Sequence, residues 1–271
     1  MHRSKIEWCR NPDGSLGWVW NPITGCLNGC EYCYARKLAN TRLKDRYLAN
    51  DVVADISNRL RDANSPLWDR VATDPFYPRF WEDRLEELNA KQKPRGIFVC
   101  DMSDLFGKGI PEKWTWRIIN LMTYCSQHRF YLLTKQPQNL IKFSPFPPNV
   151  YLGVSATNQE QFDNAVKYLK EIKASVKYLS IEPFLEWQDD GYQQRRLEEA
   201  GIKQVIIGAQ TKPYKPPKIE WVQEIVEACD MAGIPVFLKN NLWDLLYANA
   251  WDNDIFWAND KATLRQEMPC K

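Results

Sequence analysis

About seven short apolar runs recur along this chain, and each is followed at once by polar or charged residues. They lie at Trp18–Trp20, 96–100, 129–133, 150–154, Val176–Ile181, 205–208 and 235–238. Stretches of helical period fall between several of them, at 111–127, 159–172 and 221–231. The first opens with Pro at an early position and the last is stopped by Gly233. Uninterrupted apolar strands alternating with helices call for a parallel sheet covered by helices on its outside. The expected fold class is therefore α/β, as a partial or complete (β/α) barrel with parallel strands and outer helices. A chain of 271 residues suits one such barrel. Residues 1–241 would form the core with an insertion at about 50–95, and 242–271 a C-terminal helical cap and tail. In barrels the C-terminal strand ends build the active site, so the polar residues after each run share one rim.

The stretch Gly25-Cys26-Leu27-Asn28-Gly29-Cys30-Glu31-Tyr32-Cys33 opens on that rim, after the first strand. Its cysteines are spaced C-x3-C-x2-C, too closely for three independent core thiols. Thiolates bind soft metals and iron–sulfur clusters, and four normally close a 4Fe–4S cube. Three from one loop leave one iron without a protein ligand. Half of a zinc site, completed by Cys9 or His2, is the competing reading, but zinc sites usually pair two knuckles. The chain has no second knuckle, and its two histidines are His2 and His128. Chance clustering of buried thiols is the blander alternative.

A net charge of +2 neither demands nor excludes a nucleic-acid partner. No apolar run reaches membrane-spanning length, and residues 1–5 lack the apolar stretch of a signal peptide. Eight cysteines without disulfide-like framing point to a reducing cytoplasm.

From Glu31 to about Ala49 the pattern reads as one helix, and Ile6 to Trp8 as β-prone. In the insertion, Trp68, Phe76, Tyr77, Phe80 and Trp81 interleave with Arg70, Arg79 and Arg84. Such interleaving suits base stacking with phosphate neutralisation, but covering the open side of a cluster is the favoured role. Residues 212–218, Lys-Pro-Tyr-Lys-Pro-Pro-Lys, form a stiff basic loop that either touches phosphate or is a solvated connection. Trp243, Tyr247 and Trp251 stand four residues apart, as on a packed helical face. Cys125 and Cys229 fall on apolar helix faces and are expected in the core. Cys100 beside the rim is expected to be packed, with donation of a hydrogen atom to a product radical as the alternative. Cys9 and Cys270 carry no functional assignment.

More than the cysteine loop matches a known pattern. Asn21-Pro22 after Trp20, residues 99–106 (Val-Cys-Asp-Met-Ser-Asp-Leu-Phe), Leu133-Thr134-Lys135, Leu152-Gly153-Val154-Ser155, residues 180–183 and residues 235–239 stand in order. Together with Tyr32, an aromatic residue just before the third cysteine, they resemble the phage Gp37/Gp68-type family. These are three-cysteine-motif, DUF5131-like proteins of the radical S-adenosylmethionine superfamily. The chain departs from many members at Gly208-Ala209-Gln210-Thr211, where they carry Gly-Gly-Glu-Ser-Gly, and at Lys239-Asn240-Asn241, where they carry Lys-Gln-Trp. Both departures fall on the rim.

The resemblance implies a 4Fe–4S cluster held by Cys26, Cys30 and Cys33, with S-adenosyl-L-methionine on the open iron. It implies reductive cleavage to a 5′-deoxyadenosyl radical, which abstracts hydrogen from a substrate. It places Tyr32 beside adenine, Ser103 and Asp104 on the methionine ammonium, and Ser155 and Glu182 on ribose hydroxyls or methionine polar groups. Gln210 is assigned to the adenine edge, and Lys135 and Lys239 to the methionine carboxylate or an anionic substrate. A flavodoxin- or ferredoxin-like electron donor follows, and a partner protein is compatible with it. The phage association and the arginine-rich insertion suggest a nucleic-acid or nucleotide substrate. Two other classes compete: an iron–sulfur electron-transfer or scaffold protein without radical chemistry, and a zinc-stabilised binding module.

Overall fold

The computed structural model describes residues 1–54, 71, 73–88, 93–188 and 190–269. The fold is mixed α/β, with mostly parallel strands flanked by helices, as the alternation required. The chain divides into two compact units, residues 1–139 with 147–150, and residues 140–146 with 151–271.

The first unit begins with β1 (His2–Arg3), antiparallel to β2 (Trp18–Trp20). A small antiparallel pair, β3 (Ile23–Thr24) and β4 (Arg79–Phe80), follows in sequence. Strand β5 (Gly96–Val99) lies parallel to β2, matching Trp20 with Val99, and to β6 (Arg129–Thr134). Every residue of β5 is buried. Gly96 is required there, because a Cβ would meet the Arg10 carbonyl oxygen at 1.9 Å. Helix α3 (Glu112–Tyr124) turns Trp114, Thr115, Ile118, Ile119 and Met122 inward, one stripe of period 3.6. Burying a side chain of the Ile or Met class stabilises by about 2 kcal/mol.

Two local expectations change. Residues 31–49 form two short helices, α1 (Tyr34–Ala39) and α2 (Lys44–Leu48), rather than one. At the break, Asn40 Nδ2 donates to the Arg36 carbonyl at 2.8 Å and Thr41 Oγ1 to that of Lys37 at 2.8 Å. The Thr41 hydroxyl takes the Lys37 carbonyl that Thr41 N would use in a continuing helix, while the Arg36 carbonyl accepts from Asn40 N at 3.0 Å as well as from its side chain. Residues 6–8 are not a strand; Glu7 and Trp8 lie in a turn.

The described residues around β4 are anchored by an arginine. Arg79 is 2% exposed and donates to the carbonyls of Asn50 (3.0 Å), Asp74 (3.3 Å), Tyr77 (3.1 Å) and Val71 (2.9 Å). Arg84 donates to the Asn21 carbonyl at 2.7 Å and stacks 4.0 Å from the centre of the Trp81 ring. Both guanidinium groups are held by the fold and are not presented to phosphate. Trp68 and Arg70 lie outside the described residues.

The second unit carries β7 (Val150–Ala156), β8 (Val176–Ile181), β9 (Ile202–Ile207) and β12 (Val236–Leu238). All pair in parallel, β7 with β8, β8 with β9, and β9 with β12. Helices α4 (Gln159–Glu171), α5 (Gln193–Ala200) and α6 (Ile219–Met231) flank them. In the polar stretch at 189–200, α5 buries Gln193, Leu197 and Ala200 and ends on Gly201, whose left-handed φ of 67° closes the helix. Between β9 and α6, strands β10 (Gln210–Thr211) and β11 (Tyr214–Lys215) form a tight hairpin. Helix α7 (Trp243–Asn249) stacks Trp243 on Tyr247 at 6.0 Å, but it ends before Trp251, which lies in a turn, and Tyr247 and Trp251 are exposed, so the three do not form one packed helical face. Trp257, not part of the predicted face, packs on two of them, 5.3 Å from Trp243 and 5.0 Å from Trp251. No described helix is long and apolar enough to cross a membrane.

Candidate cysteine-loop site and strand-end rims

In the first unit the cysteine loop is pinned at both ends. Gly25 N donates to the Met102 carbonyl at 2.9 Å, Ser103 Oγ donates to the Gly25 carbonyl at 2.5 Å, and Cys26 N donates to the Phe76 carbonyl at 3.0 Å. Gly25 has φ 86°, and a Cβ there would meet the Tyr77 carbonyl oxygen at 2.4 Å. At the far end Cys33 caps α1, its Sγ accepting from Arg36 N at 3.4 Å. Cys26 Sγ likewise accepts from Asn28 N at 3.4 Å. Arg36 reaches back to donate to the Cys26 carbonyl at 3.1 Å, with its guanidinium 4.9 Å from the Phe76 ring centre.

An apolar cluster of Ala35, Ala39, Tyr47, Phe76 and Met102 packs against Cys26, Cys33 and Trp81. The aromatics Phe76 and Trp81 thus pack beside the cysteine loop, Phe76 within this cluster and Trp81 against it. Burial pushes the Cys26 thiol up to about 12, and the Asp104 carboxylate adds to the rise. A cationic centre reverses that preference, because binding it releases the thiol protons.

Asp104 is the strut of this loop. Its Oδ2 accepts from Asn28 Nδ2 at 2.8 Å and from Lys135 N at 3.0 Å, while Oδ1 accepts from Phe106 N at 3.1 Å. One carboxylate therefore joins the cysteine loop to the ends of β5 and β6. The Lys135 ammonium stands 5.5 Å from the centre of the Tyr32 ring. Beside them, Asn21 Nδ2 donates to Asp101 Oδ1 at 2.6 Å, and Asn21 Oδ1 accepts from Met102 N at 3.1 Å. Burial raises the Asp101 carboxyl above its usual range, against the Asn21 hydrogen bond.

The donor set fits a cluster: three thiols in one loop, two of them accepting backbone N–H groups of the kind that stabilise ligating sulfur. Among the described residues, no three His, Cys, Asp or Glu side chains converge as ligands of a single ion. Cysteines that hold different corners of a cube need not converge on one point.

Cys100 is buried with φ 65°, and burial pushes its thiol strongly up. Cys9, Cys125 and Cys229 are also buried, and Cys270 lies outside the described residues.

In the second unit, the ends of β7, β8, β9 and β12 bring together Ser155, Glu182, Gly208 and Lys239. Glu182 and Lys239 form an ion pair, partly shielded from solvent. Ser155 Oγ donates to the Glu182 carbonyl at 3.3 Å. Gly208 leaves room for the pair, since a Cβ would lie 2.9 Å from Lys239 Cδ and 3.2 Å from Glu182 Cδ. Asn241 exchanges two hydrogen bonds with the Ala209 backbone, at 3.1 and 2.8 Å. Gln210 is turned away from this group, its Nε2 donating to the Pro213 carbonyl at 3.0 Å.

A family model described as "Protein of unknown function (DUF5131)" matches residues 3–248. The chain belongs to the DUF5131 family. No curated protein matches it in sequence. Among solved structures it is similar to a spore photoproduct lyase complexed with dinucleoside spore photoproduct, at 11% identity over 80% of this chain and 74% of that one, TM-score 0.48. It is also similar to a cysteine-to-serine mutant of spore photoproduct lyase, at 11% identity over 88% of this chain and 80% of that one, TM-score 0.49. Likeness at this level bears on neither activity nor substrate.

In this DUF5131 chain the sequence reading overlooked Asn28, Arg36, Asn21 and Asn241. Each is a polar residue beside a recognised motif, and each acts by tying two strand ends or loops together. Position next to the motif was the available signal.

Proposed function

We propose that this chain is a radical S-adenosylmethionine enzyme of the phage Gp37/Gp68 type, acting on a nucleic acid or nucleotide. The observation that carries the reading is the three-thiol loop, covered by apolar side chains and braced from the ends of β5 and β6. When bound, a reduced 4Fe–4S cluster with one open iron supplies the electron that cleaves S-adenosylmethionine to a 5′-deoxyadenosyl radical, which takes hydrogen from the substrate.

Cys26, Cys30 and Cys33 hold the cluster. The N–H groups of Asn28 and Arg36 favour anionic sulfur at Cys26 and Cys33. Phe76, Met102 and Trp81 keep water from that side. Ser103 and Asp104, whose polar atoms engage the loop, position it instead of gripping the methionine ammonium. Tyr32 and Lys135 offer a ring and a cation to the adenine or carboxylate of the cofactor. Glu182 and Lys239 keep each other's charge compensated until ribose hydroxyls and an anion replace the partner. With Ser155 they form the polar contacts of the second unit's rim. Phe76 and Trp81 shield, and Arg79 and Arg84 staple.

The test is anaerobic reconstitution with iron and sulfide, then dithionite and S-adenosylmethionine, with 5′-deoxyadenosine as readout. Product that vanishes in Cys30→Ala is expected. A stable cluster that yields no product with or without added oligonucleotide makes this an electron-transfer or scaffold protein. Bound zinc and no cluster overturns the reading altogether.

A further inference from the structure

We propose that the β10–β11 hairpin is the element that contacts the phosphates of a nucleic-acid substrate; this specifies the substrate class of the second unit's rim and rests on the function proposed above. Residues 207–219 contain Lys212, Lys215 and Lys218 and no acidic residue. All three lysines are exposed, and none has a carboxylate partner among the described residues. Some basic residues of this unit are paired, as Lys170 is with Glu199 and Arg196 with Asp163 and Asp190, whereas, among the described residues, the hairpin region sets three lysines without a carboxylate partner within seven residues. What sets the hairpin apart is this concentration of positive charge with no acidic residue in the same stretch to offset it.

The hairpin is also rigid and fixed to the rim. Gln210 pairs with Lys215 and Thr211 with Tyr214, and Gln210 Nε2 closes the turn on the Pro213 carbonyl. Tyr214 Oη donates to the Asn241 carbonyl at 3.2 Å, beside the amide exchange that joins Asn241 to Ala209. Pro213, Pro216 and Pro217 stiffen the chain on both sides of β11. Lysines carried on such a scaffold lose little backbone freedom on binding. The Tyr214 ring is 49% exposed, and Lys218 lies 5.1 Å from the Trp221 ring centre. Cations interleaved with an accessible aromatic ring match a phosphate backbone with stacked bases better than an acidic peptide, which offers no bases to stack. Glu220 opens α6, and Asp244 bears on Tyr214; neither pairs with the lysines.

The experiment measures binding of the full chain to a short fluorescein-labelled single-stranded oligonucleotide by anisotropy across a salt series. K212Q/K215Q/K218Q is compared with K167Q/K173Q/K203Q, which removes three exposed lysines elsewhere in the same unit. The hairpin variant is expected to lower the slope of log affinity against log salt by about 2, since each contact on single strands contributes about 0.7. The control variant is expected to bind as the parent does. Equal weakening by both variants, no binding by the parent at low salt, or matched competition by polyglutamate overturns the proposal. Cofactor cleavage does not enter this assay. A chain that binds through the hairpin yet forms no 5′-deoxyadenosine sinks the radical reading alone.

Discussion

Asn28 Nδ2 meets Asp104 Oδ2 at 2.8 Å, across 76 residues of sequence, and so fixes the middle of the cysteine loop to the chain leaving β5. Asp104→Ala removes the acceptor of three N–H groups in a buried place. The expected cost is about 3 kcal/mol, seen as a lower urea midpoint, with a parallel fall in iron and sulfide bound on reconstitution. An unchanged midpoint with full cluster content would remove Asp104 from its bracing role.

Cys30 and Cys33 separate ligation from folding. Cys30 is absent from the apolar cluster that packs Cys26 and Cys33. Cys30→Ala should therefore melt like the parent while losing the cluster. Cys33→Ala should lose the cluster and also about 1 kcal/mol, because Cys33 caps α1, whereas Cys33→Ser should recover most of the stability without the cluster. Equal melting of all three variants would show that the cap contributes nothing.

Arg79→Lys tests whether the insertion is stapled. Lysine replaces a planar fork by one ammonium and cannot reach all four carbonyls. A loss of about 2 kcal/mol is expected in thermal unfolding, with oligonucleotide affinity unchanged. Weakened binding in a variant of parental stability would return Arg79 to the nucleic-acid surface.

Gly208→Ala places a methyl group where the Glu182–Lys239 pair now runs. Binding of S-adenosylmethionine, followed by calorimetry on reconstituted protein, should weaken about tenfold as the pair is displaced. Parental affinity would mean that the pair has slack or lies away from the cofactor.

The alternation of strands and helices, the spacing of the three cysteines and the polar residues at every strand end could all be read along the chain. These are local properties: apolar period and loop spacing are written within a few residues of one another. What the polar groups do was settled by the folded arrangement. Asp104 and Glu182 read alike as free rim carboxylates, yet one is occupied by Asn28 and two backbone N–H groups, and the other by Lys239. Phosphate neutralisation by Arg79, the less favoured reading of the insertion, gives way to the carbonyls of Asn50 and Val71 that it meets in the fold. The end of α1 before Thr41, whose hydroxyl takes the Lys37 carbonyl, and the packing of Trp257 on Trp243 and Trp251 are decisions of the same kind. A buried polar group must satisfy its hydrogen bonds with whatever the fold brings near, and those partners come from distant parts of the chain.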